Sequence, residues 1–117
     1  NMTKTLDKLW TKTQKSPNGY AFLRGHRSYW GGHKGPLEKV WEMEIEDGLF
    51  SLYHYDTLIL KMAIKTGKIY KWHIQSMTDA RALNWAFTLF GHTTKNKAHY
   101  YPSKDKGMID MLVTIQG

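Results

Sequence analysis

The chain contains no cysteine among its 117 residues. It therefore forms neither a disulfide nor a thiolate zinc site, and it can work in a reducing cytoplasm without oxidative crosslinking. No run of about 18 apolar residues is present, and no charged-then-apolar leader opens the sequence, so we expect neither a membrane span nor a signal peptide. These absences favour a cytoplasmic protein without a membrane partner.

The sequence also lacks the linear motifs of common enzymes. It has no cysteine nucleophile, no GxSxG elbow, no P-loop and no GxGxxG fingerprint. The six histidines do not have the spacing of metal-binding pairs, since His26 and His33, like His92 and His99, stand seven residues apart. We therefore predict no catalytic residue, no metal and no cofactor, and we expect a protein that is not an enzyme.

Acidic residues are few, and basic residues exceed them. Ten Asp and Glu stand against 17 Lys and Arg, which gives a formal net charge of +7. Such a charge favours phosphate-bearing or acidic partners through electrostatic steering and counterion release. Half of the acids lie in one stretch, since residues 37–48 contain five of the ten carboxylates and one lysine.

A length of 117 residues and an apolar fraction of 41% predict one globular domain, residues 1–117. Residues 3–15 place apolar side chains three and four apart with lysines opposite, which predicts an amphipathic helix. Residues 41–46 alternate apolar residues with glutamates, which predicts a half-buried strand. Asp47-Gly48 is a strong hairpin signal. Two further turns then predict a four-stranded antiparallel meander from residue 37 to residue 75.

An apolar helix follows, capped by Ser76 or Thr78 and ended by Gly91. Its apolar residues cover more of the helix surface than a single stripe, so we expect the sheet and the N-terminal helix to cover it. Residues 108–115 are an apolar run that favours a C-terminal edge strand, because Val113-Thr114-Ile115 is β-prone. The predicted fold class is α+β.

Two segments rich in basic and aromatic residues are candidate binding surfaces. The first is centred on the glycine-rich loop of residues 25–35, within the least regular part of the sequence, residues 20–36, and the second is a loop of residues 92–107. Cations supply phosphate contacts, aromatic rings supply stacking faces, and glycines allow close backbone approach. The predicted contact residues are, in the first segment, Arg24, His26, Arg27, Tyr29, Trp30, His33 and Lys34, and in the second, Lys95, Lys97, Tyr100 and Lys104.

Each candidate has a structural alternative. Tyr29 and Trp30 are equally consistent with a plug that packs on the core, and Tyr100 with the start of a strand. The glutamates of residues 42–46 suit a solvated strand face, paired across the sheet with lysines such as Lys61 and Lys71. A metal-dependent nuclease that uses these glutamates is a remote alternative.

Residues 52–84 resemble small uncharacterised proteins carried by phages and mobile elements, over less than a third of the chain. Those proteins have an aromatic-Tyr-x-Thr-x-Ile strand and a Ser-x-Thr turn that leads into a helix with a later Asn. The matching residues here are Tyr55, Thr57, Ile59, Ser76, Thr78 and Asn84. The family usually has Gly where this chain has Asp56, and Arg-His where it has Ala80-Arg81. The resemblance implies a small α+β module of phage type, with structural roles for these residues.

Two functions fit a small basic protein of this kind. The first is a stoichiometric inhibitor of a host defence nuclease or nucleoprotein complex, of anti-CRISPR type, in an infected bacterial cytoplasm. The second is an accessory protein that binds RNA or DNA directly through the first segment.

Overall fold

The computed structural model describes residues 1–112, except for the side chains of Ser28 and Trp30. Two α-helices and seven β-strands form an α+β fold. Their bounds are α1 Met2–Lys15, β1 Tyr20–Ser28, β2 Lys34–Glu46, β3 Leu49–His54, β4 Thr57–Ala63, β5 Ile69–Trp72, α2 Met77–Leu89, β6 Asn96–Tyr101 and β7 Lys106–Met111.

Strands β1 to β5 form one antiparallel sheet in sequence order. Strands β2 to β5 correspond to the predicted antiparallel meander, but the prediction of four strands is wrong, because the sheet has five. Residues 20–28, in the part of the sequence that we expected to be the least regular, form a nine-residue strand, β1, that pairs with β2 along its length. The segment that we expected to be irregular thus belongs mainly to a hairpin.

The second sheet departs further from expectation. Strand β6 occupies much of the predicted second loop, and β7 pairs with β6 rather than with an edge of the main sheet. The predicted edge strand was wrong in its partner because β6 buries only Asn96 and Ala98, so its sequence has no apolar alternation that would indicate a strand. Val113, Thr114 and Ile115 lie outside the described residues.

The core lies between the main sheet and a layer formed by α1, α2 and the β6–β7 hairpin. Met43 and Leu52 pair on adjacent strands and are fully buried, as is Leu83 of α2. Trp10, Phe50 and Phe90 contact each other edge to face, with ring centroids 5.0 to 5.8 Å apart. This aromatic group joins α1, β3 and the end of α2, and burial of such rings is a large stabilising contribution.

Helix α2 is held by specific polar contacts as well as by burial. Ser76 caps it by accepting a hydrogen bond from the Asp79 N–H at 3.1 Å. The Trp85 indole donates to Asp7 of α1 at 2.9 Å. The Asn84 side chain both donates to and accepts from the Ala98 backbone, at 2.9 and 2.8 Å, and so fixes β6 against the helix. No described helix has the length and apolarity to cross a bilayer.

Candidate nucleic-acid interface and the cavity at its base

Strands β1 and β2 continue beyond the rest of the sheet as a two-stranded ribbon, residues 24–39, which we call the arm. The last residue of β3 to pair with β2 is His54, opposite Trp41. From Lys39 outward, β2 pairs with β1 and, within the described residues, with no other strand. The ribbon contributes to the elongated shape of the molecule, which measures 57 × 42 × 20 Å.

The arm ends in a tight turn built by glycines. Gly31 and Gly32 have φ of 79° and 76°, which glycine adopts at little cost, and the Tyr29 N–H closes the turn on the His33 carbonyl at 3.0 Å. The Tyr29 side chain is 50% exposed. A Cβ on Gly35 would lie 2.5 Å from the Tyr29 ring, so one part of the ring rests on the Gly35 backbone. Tyr29 is therefore neither buried as a plug nor fully free.

Cationic side chains lie along the arm. Arg24 and Lys34 are exposed. The Arg24 guanidinium also lies 5.2 Å from the centre of the Phe22 ring. Lys39, on the neighbouring strand β2, lies 4.7 Å from the centre of the same ring. Cations placed over an aromatic face keep their charge and lose conformational freedom. One carboxylate, Glu38, stands against these cations within the arm.

Arg27 and the histidines of the arm are partly engaged within it. The Arg27 Nη2 donates to Glu38 at 3.0 Å, and its guanidinium stacks 4.1 Å from the centre of the Tyr55 ring. The exposed His26 contacts the Gly35 carbonyl through Nδ1 at 2.9 Å. His33 is exposed at the tip. The predicted contact residue Trp30 belongs to the turn, and its side chain lies outside the described set.

Residues of the second predicted segment also have internal partners. Lys95 donates to the Thr66 carbonyl at 3.1 Å, and Tyr100 donates to Asp105 at 2.6 Å. That hydrogen bond is the main reason why the pKa of Tyr100 is raised. Lys97 stands opposite Asp110 in the β6–β7 register, and Lys104 is exposed in the turn. Because Lys97 and Lys104 are exposed, this segment also offers cations to a ligand.

The arm and the turn of the second segment lie at the end of the molecule where α2 begins, whereas Lys95, which contacts Thr66 after α2 has ended, lies at the other end. Gly107 packs against Ile74, two residues before the Ser76 cap, which brings the β6–β7 turn to this end. The arm reaches the same end, because Arg27 lines one cavity with Ser76 and Asp79. The structure thus brings the arm and the β6–β7 turn to one end of the protein, but not the first residues of the second segment.

The cavity at the base of the arm has a volume of about 420 Å³ and a mostly polar lining. Its walls come from the arm, the β3–β4 turn, the segment after β5 and the start of α2. The lining residues are Arg27, His54, Tyr55, Thr57, Ile59, His73, Gln75, Ser76 and Asp79. Four of them, Tyr55, Thr57, Ile59 and Ser76, are among the residues that carry the phage-type resemblance.

A buried histidine–aspartate pair forms one wall of this cavity. The His54 Nδ1 lies 2.7 Å from the Asp79 carboxylate, and the His54 ring stacks on Trp41 with centroids 4.2 Å apart. Asp79 is 5% exposed. Burial alone raises the pKa of Asp79, but the hydrogen bonds from His54, the Gln75 N–H and Ser76 outweigh it, and the net pKa is lowered.

Sequence reasoning missed this pair because its members are 25 residues apart and occupy different elements. His54 follows the apolar strand β3, and Asp79 looks like an ordinary first-turn acid of a helix. A linear spacing signal for such a pair does not exist. The sequence does contain one indication, which is Asp79 in the first turn of an apolar helix. If that turn is buried, its carboxylate requires a partner.

The sequence predicts that the glutamates of residues 42–46 pair with lysines across the sheet. Within residues 1–112, no lysine lies at ion-pair distance from Glu42, Glu44 or Glu46. Glu42 instead accepts a hydrogen bond of 2.5 Å from the Tyr20 hydroxyl. Burial, this hydrogen bond and the nearby carboxylates raise the pKa of Tyr20. Over the same residues, no group of three or more His, Asp or Glu is arranged to hold a metal ion.

Comparison of the chain with protein-family models, with curated proteins and with solved structures finds no match. The resemblance to phage and mobile-element proteins therefore stays a prediction.

Proposed function

We propose that this protein binds nucleic acid directly, and that the arm is its main contact surface. The observation that carries the proposal is the ribbon itself, in which Arg24 and Lys34 are exposed and whose described residues add nothing to the hydrophobic core. A two-stranded antiparallel ribbon has the dimensions to enter the major groove of a duplex, and its cations then reach the phosphates on either side. The exposed half of Tyr29 supplies a stacking face at the tip.

The arrangement of charge supports this proposal. The acidic row of residues 42–46 lies along the body of β2, whereas the arm carries four Arg and Lys against one Glu. A polyanion is therefore attracted to the arm and repelled from the centre of β2. The exposed Lys104 lies at the same end of the molecule and extends the cationic surface.

The test is a salt titration of binding to labelled RNA and DNA, single-stranded and duplex, of one sequence. The variant Arg24→Gln/Lys34→Gln should weaken binding and reduce the slope of log K against log salt by about 1.8 on duplex, since each lost phosphate contact contributes about 0.9. The matched control is Lys4→Gln/Lys8→Gln, which removes two exposed lysines from α1. An equal loss in both variants would show that net charge, not the arm, governs binding.

The alternative function is a stoichiometric inhibitor of a host defence nuclease or nucleoprotein complex. Such an inhibitor would bind its target through the arm as well, so the same arm variant tests it. If the free protein ignores nucleic acid but captures a nuclease complex from host lysate after nucleic acid is digested, that partner replaces free nucleic acid. The arm variant should then lose the capture and the α1 control should keep it.

A further inference from the structure

The pair His54–Asp79 has no part in binding by the arm, yet it has the geometry of a catalytic base. The ionised Asp79 lies 2.7 Å from the His54 Nδ1, so in the neutral imidazole Nδ1 carries the proton and Nε2 carries the lone pair. Within the described residues, Nε2 has no hydrogen-bond partner. Trp41 stacks on the ring and holds its plane. An oriented imidazole with a free Nε2 at a cavity wall is suited to accept a proton from a ligand.

Two further groups in the cavity complete an acid–base site for a phosphate. His73 lines the cavity. Its backbone N–H donates to the Ile59 carbonyl at 3.0 Å, which fixes the position of the residue beside β4. Arg27 lines the cavity from the arm, and its buried Nε has no partner among the described residues. A buried donor without an acceptor is costly, and an oxygen of a ligand would satisfy it.

The β3–β4 turn shows the backbone strain that functional sites often store. Tyr55 and Asp56 have φ of 48° and 65°, a left-handed conformation that non-glycine residues rarely adopt. This conformation places the Tyr55 ring between His54, at 4.6 Å, and the Arg27 guanidinium, at 4.1 Å. The strained turn therefore joins the base to the phosphate-binding cation.

We propose that this cavity cleaves RNA without a metal ion, by intramolecular transfer of the phosphoryl group. His54 Nε2 takes the proton of a ribose 2′-hydroxyl, and the 2′-oxygen forms a bond to the adjacent phosphorus. The bond from phosphorus to the 5′-oxygen breaks, and His73, in its protonated form, gives that oxygen a proton. The products are a 2′,3′-cyclic phosphate and a 5′-hydroxyl end, and Arg27 binds a non-bridging phosphate oxygen throughout.

This inference departs from the expectation that the protein is not an enzyme, which rested on linear motifs alone. It rests on the proposed function in one respect, because the arm supplies the polyanion to the cavity. The nucleophile is the substrate's own 2′-hydroxyl, so no cysteine, serine or metal is needed. DNA and 2′-O-methyl RNA lack that hydroxyl and should bind without being cleaved.

The experiment is incubation of the protein with fluorescent single-stranded and hairpin RNAs in excess EDTA, with product ends identified by mass spectrometry. The test variants are His54→Asn, which keeps a donor near Asp79 but removes the base, and His73→Asn. The matched control is His99→Asn, which disrupts a second histidine–carboxylate pair of 2.8 Å that lies outside the cavity. Thermal unfolding of each variant shows whether it is folded.

We expect EDTA-resistant cleavage to 2′,3′-cyclic phosphate ends, reduced at least 100-fold in His54→Asn and His73→Asn and unchanged in His99→Asn, in line with the usual contribution of acid–base groups. Absence of cleavage by the wild-type protein would overturn the inference. So would cleavage that survives in folded His54→Asn or His73→Asn, or cleavage that also degrades DNA. Binding to 2′-O-methyl RNA, measured separately, reports on the arm, so loss of that binding overturns the proposed function instead.

Discussion

At the residue scale, Asp79 links stability to pH. Its carboxylate is buried and hydrogen-bonded, and its pKa lies below the ordinary value of 3.8. The folded state therefore binds this proton less readily than the unfolded chain. The stability that the pair supplies is present above about pH 4 and is lost as the pH falls through the folded pKa.

We predict that Asp79→Asn flattens this acid dependence. The free energy of unfolding of the wild type should exceed that of the variant near neutral pH, and the difference should shrink as the pH falls below about 4. Urea unfolding at a series of pH values measures it. A difference that is constant across the range would contradict the pairing of Asp79 with His54.

Two glycines with similar backbone conformation make a second test at this scale. Gly19 and Gly48 have φ of 68° and 75°, but a Cβ on Gly19 would lie 2.5 Å from the Ile45 carbonyl oxygen, whereas a Cβ on Gly48 meets nothing within 4 Å. Gly48→Ala should cost about 1 kcal/mol from backbone strain alone. Gly19→Ala should cost about 2–4 kcal/mol, because the clash adds to the same strain.

Chemical denaturation of the two glycine variants and the wild type measures both costs. Equal destabilisation would show that Ile45 does not constrain the entry to β1.

At the element scale, Asn84 joins α2 to the β6–β7 hairpin. Its side chain makes two hydrogen bonds with the Ala98 backbone, and the residue is only partly exposed. Asn84→Ala should cost about 2–3 kcal/mol, since both backbone groups of Ala98 lose their partner. Hydrogen exchange should accelerate in β6 and β7 more than in the main sheet.

The matched control for Asn84 is Thr88→Ala, one turn later on the same helix. Thr88 is exposed, and its hydroxyl donates to the Asn84 carbonyl within α2. This variant should leave exchange in the hairpin unchanged. Faster exchange in β6 in both variants would assign the effect to the helix rather than to the Asn84 contact.

The same scale shows which elements the sequence could predict. In strand β2, apolar residues and glutamates alternate from Trp41 to Glu46, and Asp47-Gly48 forms the turn that follows. The two-residue period of the strand and the residue types of the turn therefore both agree with the structure. The helix cap at Ser76 follows equally local rules. These signals lie within a few residues of each other, which is why the meander and both helices were predicted.

Other features depend on pairing between distant segments. Residues 24–28 contain arginines, a histidine and a glycine without apolar alternation, and they become a strand because β2 offers a partner. Strand β6 pairs with β7 and packs on α2 for the same reason. The cavity with His54 and Asp79 exists because the sheet and α2 meet there, so no local pattern indicates it.

At the scale of the whole molecule, the protein divides into a packed body and an arm that contributes little to it. The buried residues lie in the body, in α1, α2, the sheet from Ala21 onward and the β6–β7 hairpin. The arm beyond Arg24 pairs with itself and touches the body chiefly through Arg27 on Tyr55. A segment of this kind is removable without loss of the core.

The most direct measurement of the binding role is the affinity of a protein with a shortened arm. Residues 27–36 are replaced by Asn-Gly, which joins His26 to Leu37, its partner in the register, through a two-residue hairpin turn. If the arm is the interface, the variant should unfold within a few degrees of the wild type and bind labelled nucleic acid at least tenfold more weakly at fixed salt. An unchanged dissociation constant in the folded variant would contradict the proposal that the arm is the binding interface.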